Sequence, residues 1–221
     1  MTTTDAPASP HATSTAASAH IPVPVLESPR LILRGHRAGD LADSLALWSD
    51  PEVVRHIFGK PQGREEVWAR VLRYIGHWAV TGYGFWHVRE RATDRFVGEV
   101  GLAEFQREIA VSFDGAPEAG WAFVPSAHGK GYATEAMTAV LAWSDAAHPR
   151  TVCIISPGNA GSLRVAAKLG FRELARTDYK TSEVIVFSMA AGISTSQSQV
   201  SSSSLLIASA PGKPTSVPVS R

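Results

Sequence analysis

Residues 127–136 read AHGKGYATEA and place two glycines between an apolar, strand-like run and an alanine-rich, helix-like run. Gly129 and Gly131 permit a tight turn with exposed main-chain amides, because glycine tolerates positive φ and carries no side chain. Where such a turn leads into a helix, its amides and the helix N-terminus can face one anion, and a pyrophosphate fits such a site. A plain strand-to-helix turn uses glycines in the same way, so the loop alone leaves both interpretations open.

Two common phosphate-binding motifs do not fit this loop. A dinucleotide-binding fingerprint would need a third glycine where the sequence has Thr134, inside a repeating strand–helix unit. A P-loop would need four residues between its first glycine and a Gly-Lys-Ser/Thr triplet, and that spacing is missing. A nucleotide-binding domain therefore stays an alternative that has only the glycines to support it.

A second motif lies one predicted helix and one predicted strand further along. Residues 159–171 read NAGSLRVAAKLGF, in which Asn159 and Ser162 open a helix and Gly170 ends it before a strand. Asn159 on its own is most simply a helix cap. The glycine loop and this motif, at this separation, are far more specific together than either is alone.

With both motifs present, the sequence resembles the GNAT superfamily of N-acetyltransferases, and within it the branch of ribosomal-protein N-terminal acetyltransferases. The resemblance runs from SPRLILRGHRAGD to GFREL. The acyl-CoA loop of that family, Gln/Arg-x-x-Gly-x-Gly/Ala, falls on His128, Gly131 and Ala133, with His128 replacing the usual Gln or Arg. The resemblance implies that acetyl-CoA is bound through its pyrophosphate by the loop residues Gly129, Lys130, Gly131, Tyr132, Ala133 and Thr134.

The order of predicted elements indicates a mixed α/β layered domain of the α+β type. The resemblance sharpens this to a mostly antiparallel sheet with a central, splayed parallel strand pair, flanked by helices. We assign that pair to EAGWAFV (118–124) and TVCII (151–155). The pantetheine arm would lie in the gap, held by main-chain groups of Phe123 and Val124 and by Asn159 and Ser162.

Direct acetyl transfer to an amine requires a base, a stabilised oxyanion and an acid for the leaving thiolate. Glu118 is the first candidate for the base and Glu99 the second, although each could be a solvated charge at a strand. Many relatives carry a tyrosine as the acid, but the matching position is Ala166. Ser162 is the predicted substitute, although its hydroxyl could instead cap the helix or bind the cofactor.

Two other kinds of chemistry find little support in the sequence. Cys153 is the single cysteine and lies within an apolar run, with nothing nearby to activate it, so a core role is favoured over an acetyl-cysteine intermediate. The eight histidines form no H-E-x-x-H or comparable cluster, so no metal is predicted. His87 is interpreted as a core or lining residue.

Composition limits the domain and its partners. The 221 residues carry a net charge of +1, which gives no reason to expect nucleic acid, and no run is long and apolar enough for a membrane span. We predict a disordered extension over residues 1–26, an N-acetyltransferase domain over 27–190 and a disordered Ser/Pro-rich tail over 191–221. The lone cysteine suggests a cytoplasmic protein. The oligomeric state is predicted to be a monomer or a homodimer.

The acceptor is predicted to be a primary amine, either a protein N-terminus or a small molecule. In this fold it would enter on the side formed by residues 50–82, 103–117 and 176–183. Trp68, Trp78, Tyr83 and Trp86 lie in or near these segments and would line a pocket or fill the core. The alternative function is an acyl-CoA-binding sensor of the same fold without turnover.

Overall fold

A computed structural model describes residues 22–192 of the chain. Eight strands and five α-helices follow one another along these residues. The strands are β1 (Leu26–Glu27), β2 (Leu31–Gly35), β3 (Phe85–Glu90), β4 (Phe96–Ala103), β5 (Glu118–Phe123), β6 (Arg150–Ile155), β7 (Arg172–Tyr179) and β8 (Ser182–Ala190). The helices are α1 (Leu41–Trp48), α2 (Pro51–Val54), α3 (Arg64–Thr81), α4 (Tyr132–Ser144) and α5 (Ala160–Leu169).

The eight strands form one sheet in the order β1-β2-β3-β4-β5-β6-β8-β7. Within the described residues every neighbouring pair is antiparallel except β5 and β6, which are parallel. The chain crosses from β5 to β6 through α4, as a parallel connection requires. The predicted fold class, including the identity of the parallel pair, is confirmed.

Helices cover both faces of the sheet. One core cluster packs residues of α4 and α5 against strand residues such as Phe123, and a second packs α1, α2 and α3 against Phe96 and Ala122. Because successive residues of a strand point to opposite faces, Phe123 and Ala122 mark the two sides of β5. The side of β5 that carries Ala122 also carries Glu118.

The buried side of α3 differs from the predicted one. The sequence spacing of the apolar residues in this helix predicts a face made of Trp68, Val71, Leu72, Ile75 and Ala79. Trp68 is instead 36% and Leu72 50% exposed. The buried residues are Val67, Arg70, Val71, Tyr74 and Trp78. The buried face is thus displaced by one residue from the predicted one. Tyr74, Trp78 and the stem of Arg70, which packs on Trp48, contribute to the core, and the apolar pattern leaves these three residues out.

The domain begins before the predicted boundary at residue 27. Trp86 donates a hydrogen bond from Nε1 to the Pro24 carbonyl at 2.8 Å, and Val23 and Leu26 pack on the core. Residues 1–21 and 193–221, which hold most of the predicted extension and tail, lie outside the described residues. None of the described helices is long and apolar enough to cross a membrane.

Candidate active site

The glycine loop joins β5 to α4 as the sequence predicts. Gly129 and Gly131 have φ values of 74° and 79°, and Gly131 is the N-cap of α4. The first hydrogen bond of the helix runs from the Glu135 amide to the Gly131 carbonyl at 3.0 Å, so the amides of the first turn have no partner within the helix. A side chain at Gly129 would meet nothing within 4 Å. The loop therefore offers exposed amides at the positive end of a helix.

Arg30 contacts both the glycine loop and the first turn of α4. Its guanidinium donates to the Lys130 carbonyl at 2.9 Å and to Glu135 Oε2 at 2.6 Å, and it lies 4.7 Å from the centre of the Tyr132 ring. The Tyr132 side chain is buried, and its hydroxyl donates to Glu90 at 2.5 Å. Tyr132 therefore faces the protein, and its contribution at the loop surface is its amide. The Lys130 residue is exposed.

His128 lies between the end of β5 and α2. Its Nε2 is 2.8 Å from the Phe123 carbonyl, and its Nδ1 is 3.4 Å from a carboxylate oxygen of Glu52. The ring thus contacts the strand end at the predicted pantetheine position.

A gap opens between β5 and β6 beyond their paired end. The paired register consists of Glu118 opposite Val152, and next to it the Val152 amide donates to the Pro117 carbonyl at 3.0 Å. At the far end of β5, the Val124 amide donates to the Val97 carbonyl at 3.0 Å. Because amides alternate between the two edges of a strand, the Phe123 amide points away from β4 and toward β6. The Val124 carbonyl accepts from the Ala127 amide at 2.9 Å, so of the two predicted main-chain contacts Phe123 is the better placed.

Asn159 and Ser162 lie across the same gap, at the start of α5. The Asn159 side chain accepts a hydrogen bond from the Ser162 amide at 3.0 Å, which is the simple capping role. Trp121 on β5 donates from Nε1 to Ser162 Oγ at 3.2 Å and so connects the strand to the helix. Sequence reasoning did not single out Trp121, although its position two residues before Phe123 places it on the same face of β5. Ala166, where many relatives have the tyrosine, is fully buried.

Glu118 is a buried carboxylate held by one arginine. It is 6% exposed, and its two oxygens accept from Arg107 Nη2 at 2.7 Å and Nε at 2.5 Å. Burial raises the pKa of Glu118 above its ordinary value, and Arg107 offsets only part of that increase. Sequence reasoning missed Arg107, because it belongs to the 103–117 segment, which has no regular period.

Glu99 is a core residue whose carboxylate is bonded to other side chains of the protein. It is fully buried and accepts hydrogen bonds from Ser44 Oγ at 2.6 Å and Trp48 Nε1 at 2.7 Å, and His36 Nε2 is 3.4 Å away. Burial alone would raise the pKa of Glu99, but these polar partners together lower it. Both oxygens are thus used to attach α1 to the sheet, and no position for an incoming amine adjoins them.

His87 belongs to a second buried polar group on the same face. Its Nε2 is 3.2 Å from an oxygen of Asp43, and burial lowers the pKa of His87 to about 4. One donor atom each from Asp40, Asp43 and His87 lie within 4.8 Å of one another. Both oxygens of Asp40 are already bound by the guanidinium of Arg34 at 2.7 Å, so this group is arranged as an ion-pair network.

The three segments predicted for the acceptor side meet around Arg107. Its guanidinium carbon lies 4.7 Å from the ring centre of Phe105 and 5.0 Å from that of Tyr179, while Arg73 lies 5.7 Å from the same Phe105 ring. A cavity of about 410 Å³ is lined by residues 103–107 and 109–116 and by Glu118. Of the four predicted aromatic residues, Trp78, Tyr83 and Trp86 fill the core.

Comparison with known proteins agrees with this architecture. Residues 30–172 match the family model described as an acetyltransferase (GNAT) domain. The uncharacterized protein YkkB of Bacillus subtilis is 31% identical over 129 residues, which cover 56% of this chain and 70% of that protein.

Solved structures show the same fold. A GNAT-family acetyltransferase from Bordetella pertussis is 27% identical and superposes with a TM-score of 0.68 over 76% of this chain and 99% of its own. The spermidine N-acetyltransferase of Vibrio cholerae, solved with CoA and spermine, is 17% identical with a TM-score of 0.60, over 74% of this chain and 97% of its own. The ribosomal L7/L12 acetyltransferase RimL, solved with CoA, is 15% identical with a TM-score of 0.63, over 76% and 98%. Because the family model spans strands β2 to β6, the glycine loop and α5, the chain belongs to the GNAT acetyltransferase family.

Proposed function

We propose that the protein transfers an acetyl group from acetyl-CoA directly to a primary amine. The observation that carries this proposal is one continuous site. The exposed amides of the glycine loop adjoin the end of β5, and the buried carboxylate of Glu118 begins the same strand at the point where β5 and β6 meet. RimL and the spermidine enzyme have this fold, and by their names they act on a protein N-terminus and on a polyamine. Either class of amine would suit a family member.

The residues of this chain fit acetyl-CoA. The amides of residues 129–134 would bind the pyrophosphate, as helix N-termini bind anions. The Phe123 amide, which faces the gap, would donate to the thioester oxygen as negative charge builds there. Asn159 and Ser162 would line the other side of the gap. When bound, acetyl-CoA supplies the activated acetyl group.

Glu118 is the proposed base and Ser162 the proposed acid. A protonated amine cannot attack, so Glu118 would take one proton from the acceptor, directly or through water. Because Ser162 Oγ accepts from Trp121, its own proton remains available to the leaving sulfur. In total the acceptor ammonium loses two protons, of which the thiol retains one and the solvent receives the other. Glu99 has no place in this scheme, because both of its oxygens are occupied.

The pH dependence of kcat/KM should report the ionisation of the Glu118 carboxyl group. Since burial raises the pKa of Glu118 above its ordinary value of 4.5, activity should increase with pH through a limb that lies above 4.5. Arg107 opposes this shift, so an Arg107→Gln variant should move the limb to still higher pH. A pH profile of wild type and variant measures both. If the acid limb of the pH profile has the same position in the variant, that limb belongs to a group other than Glu118.

Cys153 should be dispensable for turnover. It is 1% exposed on β6, and burial raises the pKa of its thiol, so no reactive thiolate is available. We expect Cys153→Ala to lower the free energy of unfolding by about 1 kcal/mol, through the lost packing of one sulfur, and to keep kcat within about twofold of wild type. Mass spectrometry of the wild-type protein after acetyl-CoA treatment provides the complementary check. A stable acetyl group on Cys153 together with an inactive variant would reverse the assignment.

The sensor alternative rests on Ala166, which occupies the position of the usual tyrosine. Acetyl-CoA should stabilise the fold under either function, by about 2.7 kcal/mol at 100 times the dissociation constant. Thiol release in the presence of peptides, amino acids, polyamines and drugs separates the two. Release that depends on the amine supports the transferase. Stabilisation with no release for any amine supports the sensor, and no stabilisation by any acyl-CoA contradicts both.

We propose a cytoplasmic location, since the one cysteine is a buried free thiol and needs no oxidising compartment. No nucleic acid or membrane partner is proposed, because the net charge is +1.

A further inference from the structure

Four basic residues lie on the three segments predicted for the acceptor side, and one of them, Arg107, contacts Glu118. Arg70 and Arg73 project from α3, Arg107 from the 103–117 segment, and Lys180 from the turn between β7 and β8. Arg107 and Arg73 lie against the same ring, that of Phe105, and Arg107 and Lys180 lie against that of Tyr179. Arg73, Arg107 and Lys180 therefore share two aromatic neighbours, whereas Arg70 lies over the ring of Trp48.

This group contains more positive than negative charge. Glu118 pairs with Arg107, whereas Arg70, Arg73 and Lys180 have no carboxylate within 4.0 Å among residues 22–192. Glu104 and Glu108 are the exposed carboxylates closest to Arg107 in sequence. Among residues 22–192, neither forms an ion pair with any of the four basic residues. Arg73 is exposed over part of its side chain, and the partial burial of the rest, together with the neighbouring charge of Arg70, lowers the pKa of its guanidinium.

Arg70 and Arg73 differ in what holds them. Arg70 is 8% exposed, stacks on Trp48 at 4.1 Å and donates to Gln62 and Tyr74, so its donors are used within the protein. Arg73 is exposed, and no hydrogen bond from its guanidinium is present among the described residues. Arg73 and the exposed Lys180 are thus the members of the group whose donors are available to a ligand, and of these two Arg73 shares the Phe105 ring with Arg107.

Building on the acetyltransferase function proposed above, we propose that the acceptor amine carries a carboxylate, which binds between Arg73 and Arg107 while the amino group lies at Glu118. The chemical class is an amino acid or a compound with the same pairing of groups. A guanidinium fork binds a carboxylate through two parallel hydrogen bonds, which matches what Arg107 already does with Glu118. Phe105 and Tyr179 would contact the apolar part of the acceptor.

The same geometry couples acceptor binding to the base. In the free protein the Arg107 fork occupies both oxygens of Glu118. An incoming carboxylate competes for that fork, and Glu118 is then released to accept the ammonium proton of the same molecule. A polyamine offers no carboxylate to Arg107 and brings further positive charge to a group that already has an excess, so it is disfavoured twice.

Matched acceptors test this with the full-length protein. Each amino acid in a panel is compared with its own amide, and phenylalanine and phenylalaninamide are also compared with phenethylamine. We expect kcat/KM to be roughly 10- to 100-fold higher for the carboxylate form, the size of a charged hydrogen-bonded contact. Arg73→Gln should remove most of that preference and leave the amide nearly unchanged. Arg64→Gln, at the exposed start of the same helix, removes the same charge and should change neither value.

A second measurement does not depend on turnover. Phenylacetate, which has the carboxylate but no amine, should bind the CoA-loaded protein, and Arg73→Gln should weaken this binding at least tenfold while Arg64→Gln does not. Turnover with no preference for carboxylates, and phenylacetate binding unaffected by Arg73→Gln, overturns the inference and leaves the transferase intact. Binding that depends on Arg73, with no turnover of any amine, instead overturns the transferase and leaves the anion site.

Discussion

A Gly131→Val variant is expected to lose acetyl-CoA binding, with the dissociation constant raised at least about 100-fold. Gly131 is in the left-handed region, with φ 79° and ψ 6°, where a β-branched residue is strained by about 1–2 kcal/mol. Relief of that strain would turn the loop amides away from the pyrophosphate. The loss of two charge-assisted hydrogen bonds, each about 1.5–3 kcal/mol, accounts for the expected factor. Isothermal titration with acetyl-CoA measures it.

Gly82→Val is the matched control. Gly82 ends α3 with φ 78° and ψ 3°, nearly the same conformation, and lies outside the loop. Both variants should lose similar stability in thermal unfolding, but Gly82→Val should bind acetyl-CoA as wild type does. Equal affinity in the two variants would mean that the amides of the glycine loop do not bind the cofactor.

Glu118→Gln is expected to lower kcat by roughly 10²- to 10⁴-fold, the usual contribution of a positioned base. The acetyl-CoA dissociation constant should stay within about twofold, because Glu118 lies at the opposite end of β5 from the loop. The exchange also leaves Arg107 partly buried without a charged partner, which destabilises the fold. Thermal unfolding and acetyl-CoA titration on the same preparation separate lost chemistry from lost structure.

Glu108→Gln serves as the control for this change. Glu108 lies in the same region of the chain but is exposed, forms no ion pair among residues 22–192 and does not line the cavity. Its variant should retain wild-type kinetics. If Glu118→Gln retained normal kcat while Glu108→Gln did not, the base would have to be sought on the irregular segment rather than on β5.

The sequence allowed the local structure of the glycine loop and of the α5 cap to be predicted closely. The glycine loop, the start of α4 and the cap of α5 depend on local backbone preferences, such as positive φ at Gly131 and the Asn159 side chain bonded to a nearby amide. The position of the parallel pair followed from the family resemblance.

The acceptor side was less predictable, for two physical reasons. Arg107 belongs to a segment without periodicity, so only the folded chain shows that it meets Glu118 and Tyr179. The apolar pattern also missed Arg70 as a buried residue of α3, because an arginine stem packed on Trp48 counts as charged in sequence and as core in the structure. Strand β7 extends to Tyr179 although most of its residues are polar, because antiparallel pairing with β8 overrides that composition.

The most direct test of the central claim follows the acetyl group itself. The protein is incubated with acetyl-CoA labelled in the acetyl carbon and with the amine panel, and free thiol, labelled acceptor and labelled protein are quantified together. Direct transfer predicts that thiol and N-acetylated amine appear in equal amounts, with no label retained on the protein. Thiol released without an acetylated amine, or acetyl-CoA bound without any thiol released, would contradict the assignment of this chain as an N-acetyltransferase.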